Sequence, residues 1–379
     1  MFNSNLTQEE LLRYSRHISL PEVGLDGQKK LKASKVLIIG LGGLGSPISL
    51  YLTAAGVGTI GLLDFDVVDV SNLQRQVLFE EDQKDKSKIQ SAIEKLKKLN
   101  PHTKYNLHKV VLSSKNALDI FKDYDIIIDG TDNFPTRYLI NDACVLLGKP
   151  NVYGSIYRFD GQVSIFNYNE GPCYRCLYPT PPPDSLVPSC SESGVLGVLP
   201  GIIGTLQANE VLKIILKIGN LMVNRFLLFD ALTMKFNELE INKDDNCLVC
   251  GSHPSITSLI DYKKHCSISS YKQDDYDEIT VHELSDQLNN NKITMLDVRE
   301  NYEVKISKIK NSIHIPMDEV LNRISELNIN EEIVVYCKSG QRSSKICKQL
   351  IKNNFINVKN LKGGIIAWCK EIDSSLSIY

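Results

Sequence analysis

Three groups of residues in this 379-residue chain have types and spacings that could do chemistry. The first is Gly40-Leu41-Gly42-Gly43-Leu44-Gly45, a GxGxxG run between the apolar stretch KVLIIG and an apolar helical pattern. Glycines there permit a tight turn and a close backbone approach, and the helix start that follows favours phosphate. Asp64 ends the next apolar stretch roughly twenty residues on, where a carboxylate can hold ribose hydroxyls. By themselves these residues suggest NAD. The second group is two CxxC pairs, Cys173/Cys176 and Cys247/Cys250, roughly seventy residues apart. Each pair can place two thiolates on one metal, and two pairs complete a closed tetrahedral structural Zn²⁺ site. The third is Cys337-Lys338-Ser339-Gly340-Gln341-Arg342, with the cysteine at a strand end and the arginine at a helix start. Backbone N–H groups and a guanidinium around a thiol favour an anionic sulfur.

These residues need elements to hold them. KVLIIG (Lys35 to Gly40), TIGLLD (Thr59 to Asp64) and DIIIDG (Asp125 to Gly130) read as buried parallel strands. Apolar helical patterns run from about Leu44 to Ala55 and through DKSKIQSAIEKLKKLN, so the alternation predicts a doubly wound α/β fold. The segment Asn151 to Phe166 reads as β-structure, and RFLLFD and KFNELEI as two further strands. From about Gly251 to Asp277 the sequence turns polar and loses periodicity, which predicts a linker. A second strand–helix alternation follows, with ITMLDV and EIVVYC as its clearest strands. The expected domains are therefore 1–250, a linker 251–277, and a small α/β domain 278–379.

Composition narrows the class. A net charge of −2 gives no electrostatic reason to expect nucleic acid or an anionic membrane. The apolar stretch Pro200 to Gly219 is interrupted by Gln207, Asn209, Glu210 and Lys213, so it predicts a core helix rather than a membrane span. The opening residues lack the pattern of a signal peptide, and the expected location is cytoplasmic. In that compartment ten cysteines point to metal binding and thiol chemistry rather than disulfides. Cys144, Cys266, Cys347 and Cys369 have no patterned partners.

The run Asp64-Phe65-Asp66-Val67-Val68-Asp69-Val70-Ser71-Asn72-Leu73-Gln74-Arg75-Gln76 resembles the adenylation motif of the MoeB/ThiF/HesA family, relatives of ubiquitin-activating enzymes. The likeness extends through Arg13-Tyr14-Ser15-Arg16-His17, Lys88 and Thr131-Asp132-Asn133, and covers roughly Leu11 to Gly251. It implies a Rossmann-like domain that binds ATP. Gly40, Gly42, Gly43, Gly45, Asp64, Asp66, Ser71, Asn72, Arg75, Gln76, Lys88, Asp132 and Asn133 are the implied nucleotide-binding residues, with Asp64 on the ribose and Asn72, Arg75 and Lys88 on the phosphates. Asp132 is implied to hold Mg²⁺, Arg75 and Asp132 to be catalytic, and Arg16 to reach the site from a neighbouring protomer of a homodimer. The four paired cysteines match the zinc site of MoeB-like proteins.

Cys190, in Pro188-Ser189-Cys190-Ser191-Glu192-Ser193-Gly194, resembles the family's crossover loop cysteine. It reads either as a thiol that links covalently to the substrate or as one the chemistry does not need. The Cys337–Arg342 loop, Leu296-Asp297-Val298-Arg299-Glu300 and Leu361-Lys362-Gly363-Gly364-Ile365-Ile366-Ala367-Trp368 resemble rhodaneses over about Ile279 to Lys370. Related phosphatases have one more residue between cysteine and arginine. The four here favour sulfur. Where rhodaneses commonly show Gly-His-Ile-Pro-Gly-Ala, this chain has Ser307-Lys308-Ile309-Lys310-Asn311-Ser312.

Adenylation joined to rhodanese is the architecture of molybdopterin-synthase and tRNA-thiolation activating enzymes. It implies adenylylation of a small ubiquitin-like sulfur carrier ending in Gly-Gly. Cys337, assisted by Arg342, then delivers sulfur from a cysteine desulfurase or thiosulfate. Molybdopterin, thiamine, cysteine and tRNA-thiolation carriers share that end chemistry. Two other readings stay open: an activating enzyme that passes its protein on by thioester for conjugation, and a nucleotide-regulated scaffold without catalysis.

Overall fold

The computed structural model describes residues 6–181, 194–260, 262, 276–288 and 293–379. The chain divides into two compact units, Met1–Ser269 and Ser270–Tyr379.

The first unit is built on an eight-stranded sheet of order β3-β2-β1-β4-β5-β6-β7-β8. Its strands are β1 (Lys35–Ile39), β2 (Thr59–Leu63), β3 (Lys104–His108), β4 (Ile126–Asp129), β5 (Asn151–Tyr157), β6 (Asp160–Phe166), β7 (Arg225–Asp230) and β8 (Lys235–Glu240). The first five are parallel, and β6, β7 and β8 continue antiparallel. Both faces of β1 are covered, so its residues need not alternate in polarity. Val36 and Ile38 join one apolar cluster, Leu37 and Ile39 the other. In register, Ile39 stands opposite both Leu63 and Asp129. The chain therefore leaves β1, β2 and β4 at one level, through Gly40, Asp64 and Gly130. The chain order reverses between β1 and β4, the place where open α/β sheets bind ligands.

Gly40 has φ +86°, a left-handed backbone, and turns straight into the helix Gly45–Ala55. A Cβ on Gly45 would meet the Gly40 carbonyl oxygen at 2.0 Å, so the turn closes only with glycine there. The helix Leu199–Leu216 is long and apolar enough to cross a membrane by composition. Here it packs on β5, β6 and the Gly45–Ala55 helix. Two of its buried polar side chains are held in place: Gln207 Nε2 donates to the carbonyls of Asp129 (2.8 Å) and Val152 (3.1 Å), and Glu210 accepts from Lys213 (2.5 Å) and the Met222 N–H (3.0 Å).

The second unit is a five-stranded parallel sheet of order β11-β10-β12-β13-β9. Its strands are β9 (Asp277–Ile279), β10 (Ile293–Asp297), β11 (Ile313–His314), β12 (Glu332–Tyr336) and β13 (Val358–Leu361). Cys337 follows β12, the central strand. Within the polar segment expected to link the units, Tyr262 is buried and its hydroxyl donates to Asp142 Oδ2 at 2.6 Å, so part of that stretch packs into the first unit.

Candidate functional sites

Beyond the ends of β1, β2 and β4 lies a cleft of about 280 Å³. Its lining includes Gly40, Gly42, Gly43, Asp64, Asp66, Asn72, Arg75, Gln76, Lys88, Asp132 and Asn133. Residues spread over nearly a hundred positions of sequence thus converge. Asp64 is the fulcrum. Its Oδ2 accepts from the Leu41 N–H (2.7 Å) and its Oδ1 from the Asp66 N–H (2.8 Å), tying the glycine turn to the end of β2. Lys88 begins the helix Lys88–Leu99, is nearly buried, and pairs with Asp66 at 3.0 Å. Arg75 Nη2 donates to Asn72 Oδ1 at 2.6 Å. Asn133 caps the helix Phe134–Leu146 by accepting from the Thr136 N–H at 3.1 Å, with Pro135 in the first turn.

Gly45 stands behind the lining as the first residue of its helix. Neither Ser71 nor Arg16 is among the lining residues, and Arg16 is exposed. Cys190 and Cys266 lie outside the described residues.

The structure adds a residue that sequence reasoning missed. Arg137, one turn into the Phe134–Leu146 helix, lines the cleft as its third cation beside Arg75 and Lys88. Its Nη2 donates to the Thr131 carbonyl at 3.1 Å, and its guanidinium lies 5.5 Å from the ring centres of both Phe134 and Tyr153. Beneath it, Asp129 is fully buried and accepts from the Thr131 N–H (2.9 Å) and hydroxyl (2.6 Å). Burial pushes the Asp129 carboxyl up, against the pull of Arg137. Five positions after Asp132, inside an apolar helix, Arg137 carried no motif of its own. Its charge within an otherwise apolar stretch was the available signal.

The four paired cysteines meet in the first unit, with all their sulfurs within 4.8 Å of one another. Sulfur separations are 3.5 Å for Cys173–Cys247, 3.9 Å for Cys173–Cys176 and 3.3 Å for Cys176–Cys250. A tetrahedral zinc with Zn–S bonds of about 2.3 Å has sulfur–sulfur edges of about 3.8 Å, so donor set and spacing both fit that ion. The crowded thiols share their protons unevenly: Cys176 is pushed down to about 7, first by the Cys173 thiol beside it, and Cys247 is drawn down, while Cys173 and Cys250 are pushed up by their neighbours.

Arg175, between the first two cysteines, anchors the cluster. It is buried and donates to both Asp142 oxygens, at 2.8 and 2.9 Å, with its guanidinium 4.6 Å from the Tyr138 ring centre. Tyr174 N–H donates to Asn141 Oδ1 at 2.7 Å. The helix that brings Arg137 to the cleft therefore also grips the cysteine cluster.

In the second unit, Cys337 is buried at the head of the loop that leads into the helix Gln341–Lys352. Gly340, at φ +101°, turns the loop so that its N–H donates to Cys337 Sγ at 3.2 Å, and Ser343 Oγ, whose hydroxyl donates to Asn360 Oδ1 at 2.6 Å, lies 3.4 Å from the same sulfur. Ile365 and Ile366 N–H groups hold the carbonyls of Cys337 (2.9 Å) and Lys338 (3.2 Å) from outside the loop. A Cβ on Gly364 would meet those carbonyls at 2.5 and 2.6 Å, which explains the glycine immediately before Ile365. Arg342 donates twice to Glu303, at 2.5 and 2.7 Å. Burial works against the Glu303 carboxylate, yet Arg342, the Glu300 N–H and Tyr379 together hold it down to about 2. The segment that departs from the usual rhodanese pattern is packed: Ser307 O accepts from Arg299 at 2.8 Å, and the Ser312 hydroxyl bonds Tyr336 at 2.8 Å.

Residues 14–249 match the ThiF family, and residues 280–371 match the rhodanese-like domain. The chain belongs to the ThiF family. It is similar to the probable adenylyltransferase/sulfurtransferase MoeZ of Mycobacterium tuberculosis (44% identical, covering 99% of this chain and 97% of that one). It is also similar to the adenylyltransferase and sulfurtransferase MOCS3 of Drosophila yakuba (40% identical, covering 100% and 87%). Among solved structures, E. coli MccB with ATP is similar at a TM-score of 0.56 and 25% identity, covering 66% of this chain and 76% of that one. A structure of MccB with AMPCPP and MccA gives 0.57 at 25% identity, covering 65% and 76%. This ThiF-family chain is an adenylyltransferase with sulfurtransferase activity, as expected from its motifs.

Proposed function

We propose that the chain adenylylates the C-terminal glycine of a small ubiquitin-like sulfur carrier protein ending in Gly-Gly and then converts that end to a thiocarboxylate. The reading rests on one observation: Asp64, Asn72, Arg75, Lys88 and Asp132 share a cleft, in a chain that also carries the Cys337 loop. The MoeZ and MOCS3 names and the MccB complexes with ATP and MccA support it. We assign adenylation to residues 1–250 and sulfur transfer to 278–379, with 251–277 between them.

The carrier carboxylate attacks the α-phosphate of ATP, forming an acyl-adenylate and releasing pyrophosphate. Arg75 and Lys88, with the Asn72 amide, bear on the charge that develops on the phosphates, and Asp64 holds the ribose. Asp66, Gln76 and Asn133 complete the nucleotide cleft around the glycine turn, with Ser71 behind Arg75. Mg²⁺, when bound, screens the phosphates, and the exposed carboxylate of Asp132 at the cleft is the hard oxygen donor that suits it. Arg16, exposed away from its own cleft, serves the site of a second copy in a homodimer. Zn²⁺ on Cys173, Cys176, Cys247 and Cys250 is structural.

Cys337 takes a sulfane sulfur as a persulfide from a cysteine desulfurase or thiosulfate. The terminal sulfur attacks the activated carbonyl, AMP leaves, and a carrier–C(=O)–S–S–Cys337 disulfide forms. A second thiolate, Cys190 or an external thiol, attacks the Cys337 sulfur and releases the thiocarboxylate. The resulting disulfide returns to thiols through a dithiol reductant. The reaction takes place in the cytoplasm and serves molybdopterin, thiamine, cysteine or tRNA-thiolation chemistry, according to the carrier. The test incubates the chain with ATP, thiosulfate and candidate Gly-Gly-ended proteins, then measures intact masses. A sulfur-for-oxygen gain on one carrier is expected. Carrier-dependent exchange of pyrophosphate into ATP without that gain would instead favour thioester conjugation, and no exchange would favour a scaffold.

A further inference from the structure

The rhodanese-like unit contains a polar chain that joins two of its sequence motifs through residues outside them, Glu303 and Tyr379. It starts at Asp297, whose two oxygens hold the buried Arg299 at 2.9 and 2.6 Å. Arg299 Nη1 donates to the Tyr379 hydroxyl at 2.9 Å, and that hydroxyl donates to Glu303 Oε1 at 2.7 Å. Glu303 holds Arg342 with both oxygens. The Tyr379 ring also carries Lys338, the residue after Cys337, with its ammonium 4.8 Å from the ring centre. One side chain from well outside the loop thus touches the groups that place both loop cations.

We propose that Tyr379 is a positioning residue of the sulfur-transfer site, fixing Arg342 through Glu303 and Lys338 through its ring so that the loop accepts an anionic sulfur donor. The proposal rests on Cys337 as the sulfur-carrying thiol. Glu303 Oε1 accepts from both Arg342 Nη2 and Tyr379, within the two-lone-pair capacity of a carboxylate oxygen. The Tyr379 hydroxyl therefore fixes the carboxylate that orients Arg342 beside Cys337. The aromatic face does the same for Lys338 by holding an ammonium without neutralising it. Burial and the nearby Glu303 push the phenol up, so it remains a donor across the neutral range.

The test measures sulfur transfer from thiosulfate to cyanide by the full-length chain. Tyr379→Phe removes the hydroxyl and keeps the ring; Tyr379→Ala removes both. Losing one such bond predicts a rise in KM for thiosulfate of roughly fivefold in Y379F, and losing the ring contact as well raises it roughly tenfold or more in Y379A, with kcat changing less. A merely structural role would lower kcat along with the folded fraction and leave KM in place. Unaltered KM in Y379F and Y379A, with transfer abolished in Cys337→Ala, would overturn the role of Tyr379 alone. Full transfer by C337A would overturn the sulfur-site reading and the role of Tyr379 with it.

Discussion

The nucleotide cleft and the thiol loop solve the same problem, holding cations around a reacting anion, in opposite ways. In the cleft the groups come from the ends of three strands and two helix starts, and each cation rests on its own local neighbour: Lys88 on Asp66, Arg75 on Asn72, Arg137 on the Thr131 carbonyl. In the loop the thiol, its N–H donor and the guanidinium lie within six consecutive residues, and the guanidinium is held by a buried carboxylate. A distributed site suits a large ligand with a base, a sugar and three phosphates. A compact loop suits one sulfur atom. The difference predicts that the two can be broken separately.

The sharpest break is chemical. Cys337→Ala is expected to abolish transfer of sulfur from thiosulfate while leaving carrier-dependent pyrophosphate exchange unchanged. Arg75→Ala is expected to do the reverse, with exchange falling roughly 10²–10³-fold, the usual cost of removing one preorganised donor from a developing oxyanion. Both activities measured on each variant decide it. A fall of both in either variant would mean that the sites are not independent.

A second break reaches the cleft from behind. Asp142→Ala leaves Arg175 buried without its carboxylate and removes the acceptor of the Tyr262 hydroxyl. Breaking such a pair costs about 3–5 kcal/mol, so denaturant should unfold the first unit earlier by that amount. Because the same helix carries Arg137 to the cleft, pyrophosphate exchange should fall with it, while thiosulfate transfer persists. Equal loss in both activities would contradict the division of labour drawn here.

Legibility in the sequence followed the same divide. The placement of the loop could be read directly, since cysteine, glycine and arginine fall within six residues and the Gly340 N–H meets the Cys337 sulfur. The cleft could be read where a residue ended an apolar strand, as Asp64 does, or stood in a matched motif, as Asn72, Arg75 and Asp132 do. Arg137 escaped because its role depends on which face of a helix meets the cleft, and Tyr379 because its partners are far away in sequence. β3 (KYNLH) escaped for a physical reason too: as an edge strand, half exposed, it has no need of an apolar pattern. The polar run after Gly251 concealed the packing of Tyr262, because a single aromatic with one hydrogen bond leaves no periodicity.

The smallest predicted effect tests what holds the loop cation. Glu303 is held at about 2, against an ordinary value of 4.5. Its depressed value means that the folded state favours the carboxylate. The associated stability is fully present above pH 4.5 and is lost as pH falls from there towards 2. Its size is about 3 kcal/mol if the whole difference is expressed in folding. Glu303→Gln cannot titrate, so its stability should be lower at neutral pH and flatter between pH 4.5 and 2 than that of the unsubstituted chain. Denaturant midpoints for unfolding of the second unit across that window measure the difference. An acid loss that is the same in E303Q would place the anchor of Arg342 elsewhere and remove the contrast between a buried ionic clamp in the loop and local, shorter-range partners in the cleft.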